Sequence, residues 1–230
     1  MVNLSEPSTA LGGENFLTEI RDVLSKHQPE LNAEIFNDDI ILKGTIITTG
    51  PFGPFDSFKI LAVIFDGFPL VEPFVWETGG RIEPIEDMHI SPEQKICCLG
   101  VWEEWLIRAP DHSFESFLIG PCHSFFVSQS EFERTGDWPL GSRSHGRKGV
   151  VESFSDLLGV EKNDELVKDY LAILSLRQIK GHHYCPCGSE KRLRNCHIVE
   201  LKNLQKTISS SMAKRMFQRL RAPALDQAIR

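Results

Sequence analysis

Two clusters of side chains in this 230-residue chain are able to do chemistry, and both contain cysteine. The first runs Tyr184-Cys185-Pro186-Cys187-Gly188-Ser189-Glu190-Lys191-Arg192-Leu193-Arg194-Asn195-Cys196-His197, with three thiols and one imidazole inside thirteen positions. Four N or S donors with no vacancy complete the tetrahedral shell of a structural zinc ion, so Cys185, Cys187, Cys196 and His197 are expected to hold one Zn2+. A catalytic zinc keeps a position open, and this set leaves none. Gly188 lets the chain turn after the first pair, and Lys191, Arg192 and Arg194 offset part of the thiolate charge. The second cluster is Cys97-Cys98, inside Met88-His89-Ile90-Ser91-Pro92-Glu93-Gln94-Lys95-Ile96-Cys97-Cys98-Leu99-Gly100. With the other ligands claimed, these thiols are free for nucleophilic chemistry. Three alternatives stand beside that reading: burial as small apolar side chains, a redox-sensitive vicinal disulfide, and a second zinc site shared with Cys122 and His123.

Composition bounds what such sites serve. A hydrophobic content of 41% is that of a globular protein with room for one medium domain and a small appendage. No run of eighteen apolar residues occurs, and Met1-Val2-Asn3-Leu4-Ser5-Glu6-Pro7 lacks the basic and apolar regions of a signal peptide, so no membrane partner and a cytoplasmic location are expected. There, cysteines stay reduced and a Cys/His cluster reads as a metal site. The formal net charge of -7 argues against a general nucleic-acid binder. The tail departs from it: Lys202, Lys206, Lys214, Arg215, Arg219, Arg221 and Arg230 face one acid, Asp226, and read first as a solvated basic helix face.

The positioning elements follow from periodicity. Residues 1–13 form a polar lead-in expected to be flexible. Phe16, Ile20, Val23 and Leu24 recur at helical spacing and predict a helix ending before Pro29. Ile40 to Thr48 and Phe58 to Phe65 read as strands around the turn Gly50-Pro51-Phe52-Gly53-Pro54, and Phe74 to Glu77 as a third. The connector Phe68-Pro69-Leu70-Val71-Glu72-Pro73 is held extended by its prolines. Ser113 caps a helix carrying Phe114, Phe117, Leu118 and Phe125, bent at Gly120-Pro121. Residues 135–150 read as an ordered loop or linker packed on the domain, with a contribution of Ser144 or His145 to the groove beside Cys97 as the alternative. A helical section follows from Val151 to Lys180, with Leu166, Val167, Tyr170, Leu171, Leu174 and Ile179 as its apolar stripe beneath a cap at Asn163 or Asp164. The expected organisation is an α+β domain over 14–150, a helical linker over 151–181, the zinc knuckle over 182–200 and a basic C-terminal helix over 201–230.

The knuckle resembles the SEC-C zinc motif, found at the C-terminus of the secretion ATPase SecA. The match spans about twenty residues and includes all four ligand positions and Pro186, Gly188 and Ser189 between them. Residues 14 to 130 resemble the ubiquitin-conjugating enzyme fold, in its divergent bacterial form. Helix, antiparallel strands, Phe68-Pro69 and Pro73, then His89, Ile96-Cys97 and Trp105 follow the family's order, in which a His opens the active-site loop and a thioester-forming Cys comes after an aliphatic residue. The resemblance implies an antiparallel sheet flanked by helices, a catalytic cysteine and a loop-shaping His89. Cys97 keeps the eight-residue spacings to His89 and Trp105 and is the preferred nucleophile, while Cys98 keeps the family's Cys-Leu dipeptide. The family follows its His with Pro-Asn, whose Asn steadies the oxyanion or the catalytic loop; here Ile90 and Ser91 stand instead, so that role falls to Ser91, to backbone amides or to nothing.

Thioester transfer also suits cysteine on chemical grounds, since the thiolate is a strong nucleophile and leaves readily from an acyl carbon. The resemblance implies an enzyme that carries a protein C-terminus, from a ubiquitin-like protein or a cGAS-like nucleotidyltransferase, as a thioester and passes it to an amine of a protein acceptor, in bacterial anti-phage defence. An activating-enzyme partner must supply the activated cargo. The contrasting reading is a catalytically inactive adaptor of the same fold that binds through its zinc knuckle.

Overall fold

The computed structural model describes residues 12–139, 141 and 144–222. These form two compact units that part near residue 143.

The first unit is built on a meander of four antiparallel strands in the order β1-β2-β3-β4: β1 Leu31–Phe36, β2 Asp39–Gly50, β3 Gly53–Ile64 and β4 Phe74–Glu77. Alternation selects the buried face. Ile40, Leu42 and Ile46 of β2 lie opposite Ile64, Ala62 and Phe58 of β3, and all six are at most 2% exposed. Helix α1, Gly12–His27, closes this face with Leu17, Ile20 and Leu24. Gly44 sits where β2 crosses the start of β1: at φ +143° a Cβ would stand 2.1 Å from the Glu30 carbonyl oxygen, so no other residue fits.

The strands expected from the sequence occur, and β1 is an addition. Its burial alternates from Leu31 to Ala33, and Asn37 and Asp38 both take positive φ, 49° and 69°, as a two-residue hairpin turn of the right hand requires. That Asn-Asp pair was the available signal. Helix α2, Trp102–Arg108, precedes α3, Phe114–Phe117, whose cap is Ser113 as expected: its side chain accepts from the Ser116 N–H. The bend at Gly120-Pro121 is a wide turn over Leu118–Cys122, with Gly120 at ψ -111°, and leads into α4, His123–Thr135. Phe114, Phe117, Leu118 and Phe126 from this bent pair complete the core.

The second unit is helical: α5 Gly146–Leu158, α6 Asp164–Leu174, α7 Ile198–Thr207 and α8 Ser210–Arg221. Asn163 caps α6 by accepting from the Leu166 N–H at 3.0 Å. Phe154 and Leu158 of α5, Val167, Leu171 and Leu174 of α6, and Met212, Met216 and Leu220 of α8 are buried. Several expected boundaries shift. The lead-in ends sooner, since Gly12 and Gly13 begin α1, while residues 1–11 lie outside the described residues. Residue 150, placed at the end of the first domain, lies inside α5. Residues 151–181 hold two helices parted by Gly159, whose φ of 68° ends α5. The basic tail is likewise two helices, with Ser209 capping the second, and Asp226 and Arg230 lie outside the described residues.

Candidate functional site

The best-formed site is the Cys/His cluster. The ligand atoms of Cys185, Cys187, Cys196 and His197 all lie within 4.8 Å of one another, and among the described residues they are the metal-ligating group that gathers in this way. A tetrahedral ion about 2.3 Å from sulfur and about 2.0 Å from nitrogen sets its ligands roughly 3.8 Å apart for two sulfurs and roughly 3.6 Å for sulfur and nitrogen. The observed separations are 3.6 Å between the Cys187 and Cys196 sulfurs, and 3.2 and 3.3 Å from His197 Nδ1 to Cys185 and Cys196. The donor set and its spacing fit one zinc ion.

Local backbone bonds shape the cradle. Tyr184 and Arg192 form an antiparallel bridge, and the Cys185 N–H donates to the Lys191 carbonyl at 2.8 Å. Between them Gly188, at φ +77°, turns the chain back. A single 3-10 turn, Leu193–Asn195, then delivers Cys196, and His197 precedes α7. Leu193 is fully buried and anchors the turn. Ser189 Oγ stands 3.2 Å from the Cys187 sulfur and 3.3 Å from the Cys196 sulfur, where its hydrogen bonds orient the two ligands. Burial, and after it the charges of Cys185, Cys187 and Cys196, push the Tyr170 hydroxyl of α6 up to about 12.

The second candidate lies in the loop that follows β4. A 3-10 turn over Glu86–Met88 ends at His89, which takes a left-handed conformation at φ 53°. From there the chain doubles back. The Ser91 N–H donates to the Ile96 carbonyl and the Lys95 N–H to the Ser91 carbonyl, a turn completed by Lys95 at φ 56°. Returning, Ile90 bridges Cys97, the Cys97 N–H donates to Val75 at the edge of β4, and the Cys98 N–H donates to the His89 carbonyl, both at 2.8 Å.

In an extended chain pinned on both sides, successive side chains point to opposite faces. Cys97 is therefore directed into the core, 3% exposed, whereas Cys98 is exposed. Burial raises the Cys97 thiol far above its ordinary value, and a backbone hydrogen bond from Glu77 offsets only part of this. The preference for Cys97 as nucleophile thus meets a physical obstacle, since burial disfavours its thiolate and leaves little of it exposed to a substrate. The Cys-Leu dipeptide pointed to the exposed thiol.

His89 acts here through its backbone. Its carbonyl orients Cys98, and its ring packs edge-on against Trp138 with centroids 4.5 Å apart. Trp138 in turn stacks on Phe132 of α4 at 4.3 Å. From the same helix Gln129 Nε2 donates to the Met88 carbonyl at 2.7 Å, a support the sequence did not disclose. Trp102 is buried and stacks on the half-buried Trp105 at 4.4 Å, so both are packing residues. Ser144 serves α5 by donating from Oγ to Glu152 at 2.8 Å.

Cys97, Cys98, Cys122 and His123 do not assemble as a second metal cluster among the described residues. Cys122 is buried, its thiol pushed up to about 12 by desolvation, and His123 Nε2 accepts from the Thr49 N–H at 3.0 Å. Arg81 anchors the start of the loop. It donates to Asp56 of β3 at 2.6 and 2.7 Å and to Glu133 of α4 at 2.6 Å, and its guanidinium lies 4.3 Å over the Phe58 ring.

No family model, curated protein or solved structure matches the chain. Among the described residues, no helix is long and apolar enough to cross a membrane.

Proposed function

We propose that this chain is a ubiquitin-conjugating-like acyl transferase of the bacterial type, with Cys98 as its acyl carrier and a SEC-C-like knuckle holding one structural zinc. The observation that carries the reading is the division of the thiol pair, Cys97 buried as a wedge and Cys98 presented at the surface by the His89 carbonyl. The α+β order and the four-stranded antiparallel sheet accord with it.

In the first step the Cys98 thiolate attacks the carbonyl carbon of cargo held as a thioester on an activating partner. A new S–C bond forms, and the partner's thiolate leaves. In the second, an acceptor amine attacks the Cys98 thioester, Cys98 departs as thiolate, and the ammonium proton passes to solvent. The tetrahedral oxyanion needs donors. Amides of Ser91, Cys97 and Cys98 are already committed to carbonyls. The N–H groups of Leu99 and Gly100 have no hydrogen-bond partner among the described residues and follow the nucleophile directly, so we assign the oxyanion to them. Cargo is the C-terminus of a ubiquitin-like protein or of a cGAS-like nucleotidyltransferase, in an anti-phage setting.

A second reading, an inactive adaptor of this fold, draws on the missing Asn and on Ser91, whose hydroxyl accepts from the Gln94 N–H within its own turn. Intact-mass analysis of protein co-expressed with its operon neighbours separates the two. The enzyme reading expects a thiol-reducible adduct that survives Cys97→Ser and disappears in Cys98→Ser. Absence of any conjugate change in both variants leaves the adaptor.

A further inference from the structure

The whole-chain charge of -7 describes neither unit. Most of the 32 acidic residues precede residue 143, and most of the 25 Lys and Arg follow it. Around the knuckle Arg177, Lys180, Lys191, Arg192 and Arg194 are all exposed. Some basic side chains elsewhere meet carboxylates, as Arg81, Arg108, Arg134, Arg147 and Lys168 do. Among the described residues none of these five does.

The surface has shape as well as charge. Leu176, Arg177, Gln178, Lys180, His182 and His183 line an open cleft of about 760 Å3. Gln205 of α7 fixes its wall by donating to the carbonyls of Leu174 and Leu176 at 3.1 and 2.7 Å. Beside the cleft, in sequence and through Arg192, stands Tyr184, 60% exposed. The Arg192 guanidinium lies 3.9 Å over its ring and donates to the His182 carbonyl at 2.8 Å. The rings of His182 and His183 face each other at 4.5 Å.

Cations with no carboxylate partner among the described residues, flanking an exposed, guanidinium-backed aromatic ring, make a particular demand on a ligand. It must carry repeated negative charge and flat, unstacked faces together. Single-stranded nucleic acid has both, its phosphates tracking a basic groove while its bases stack on aromatic side chains. Duplexes hide their base faces, and an acidic peptide has the charge without the regular flat groups. We propose that the knuckle and the cleft beside it bind single-stranded nucleic acid, with Arg177 and Lys180 on the phosphates and Tyr184 beneath a base. This site is independent of Cys98.

Fluorescence anisotropy tests it, using full-length zinc-loaded protein and labelled oligo-U and oligo-dT of about 16 nucleotides, near the upper footprint of such surfaces. Binding of either probe supports the proposal when Arg177→Glu with Lys180→Glu weakens it at least about tenfold and lowers the salt slope by about 1.4, the value for two phosphate contacts on a single strand. Tyr184→Ala should cost about tenfold and Tyr184→Phe little, with circular dichroism and zinc content unchanged. Oligo-U against oligo-dT decides between RNA and DNA. The proposal is overturned by absence of binding at about 50 mM salt, by binding indifferent to these variants, or by polyglutamate binding as tightly as either oligonucleotide, which would assign the surface to an acidic protein.

Discussion

Two neighbouring cysteines have opposite chemistry because one peptide step reverses the side-chain direction. Cys97 donates its N–H to Val75 and sends its thiol into the core, where desolvation suppresses the thiolate. Cys98 is exposed, so a reagent or substrate can reach it. Iodoacetamide treatment of native, zinc-loaded protein near pH 8 should therefore add one alkyl group, mapped by mass spectrometry to Cys98. Modification of Cys97 or Cys122 without prior unfolding would contradict the burial argument. The adjacency was legible in the sequence, and which thiol is outward was not, because that depends on pairing with β4 from more than twenty positions away.

At the scale of elements, the loop bearing Cys98 is held by α4 at two points on the N-terminal side of that residue, through Gln129 on the Met88 carbonyl and Glu133 on Arg81. Arg81 also reaches β3, and its hydrogen bonds to Asp56 hold that carboxyl at about 2, below the usual carboxylate range. A folded-state pKa below the unfolded value means a contribution present above the unfolded value near about 3.9 and lost as pH falls toward about 2. Arg81→Met should cost about 1 to 2 kcal/mol at pH 7 after allowance for the partial exposure of the pair. The deficit should shrink as pH drops through that window. Denaturant titrations at several pH values measure both, and a deficit independent of pH would place the loss in the Phe58 contact instead. Helix caps at Ser113 and Asn163 were readable because a cap is a local bond spanning three residues. Strand β1 is short and mixed in composition, and its identity rests on pairing with β2.

For the whole molecule, the two compact units differ in what stabilises them. The sheet unit has an extended apolar core, whereas the knuckle is a short segment whose buried Leu193 is supplemented by metal ligands. Structural zinc contributes about 10 to 16 kcal/mol in such segments. Metal analysis should find about one zinc per chain, and Cys185→Ser should abolish it. A ratio near two would restore the site at Cys97, Cys98, Cys122 and His123. Chelation should loosen residues 181–197 to hydrogen exchange while amides of β2 and β3 remain protected. Loss of protection in the sheet would show that zinc stabilises both units.

The Cys/His cluster, the helix caps, the bend at Gly120-Pro121 and three of the four strands were determined by the sequence itself, since each depends on residues a few positions apart. Tertiary structure decided what depends on distant partners: the pairing of Cys97 with β4 that buries one thiol and exposes the next, the hold of α4 on the loop, and the cleft lined by Arg177 and Lys180. A net charge is a sum over the chain, whereas a ligand meets only the surface that folding gathers.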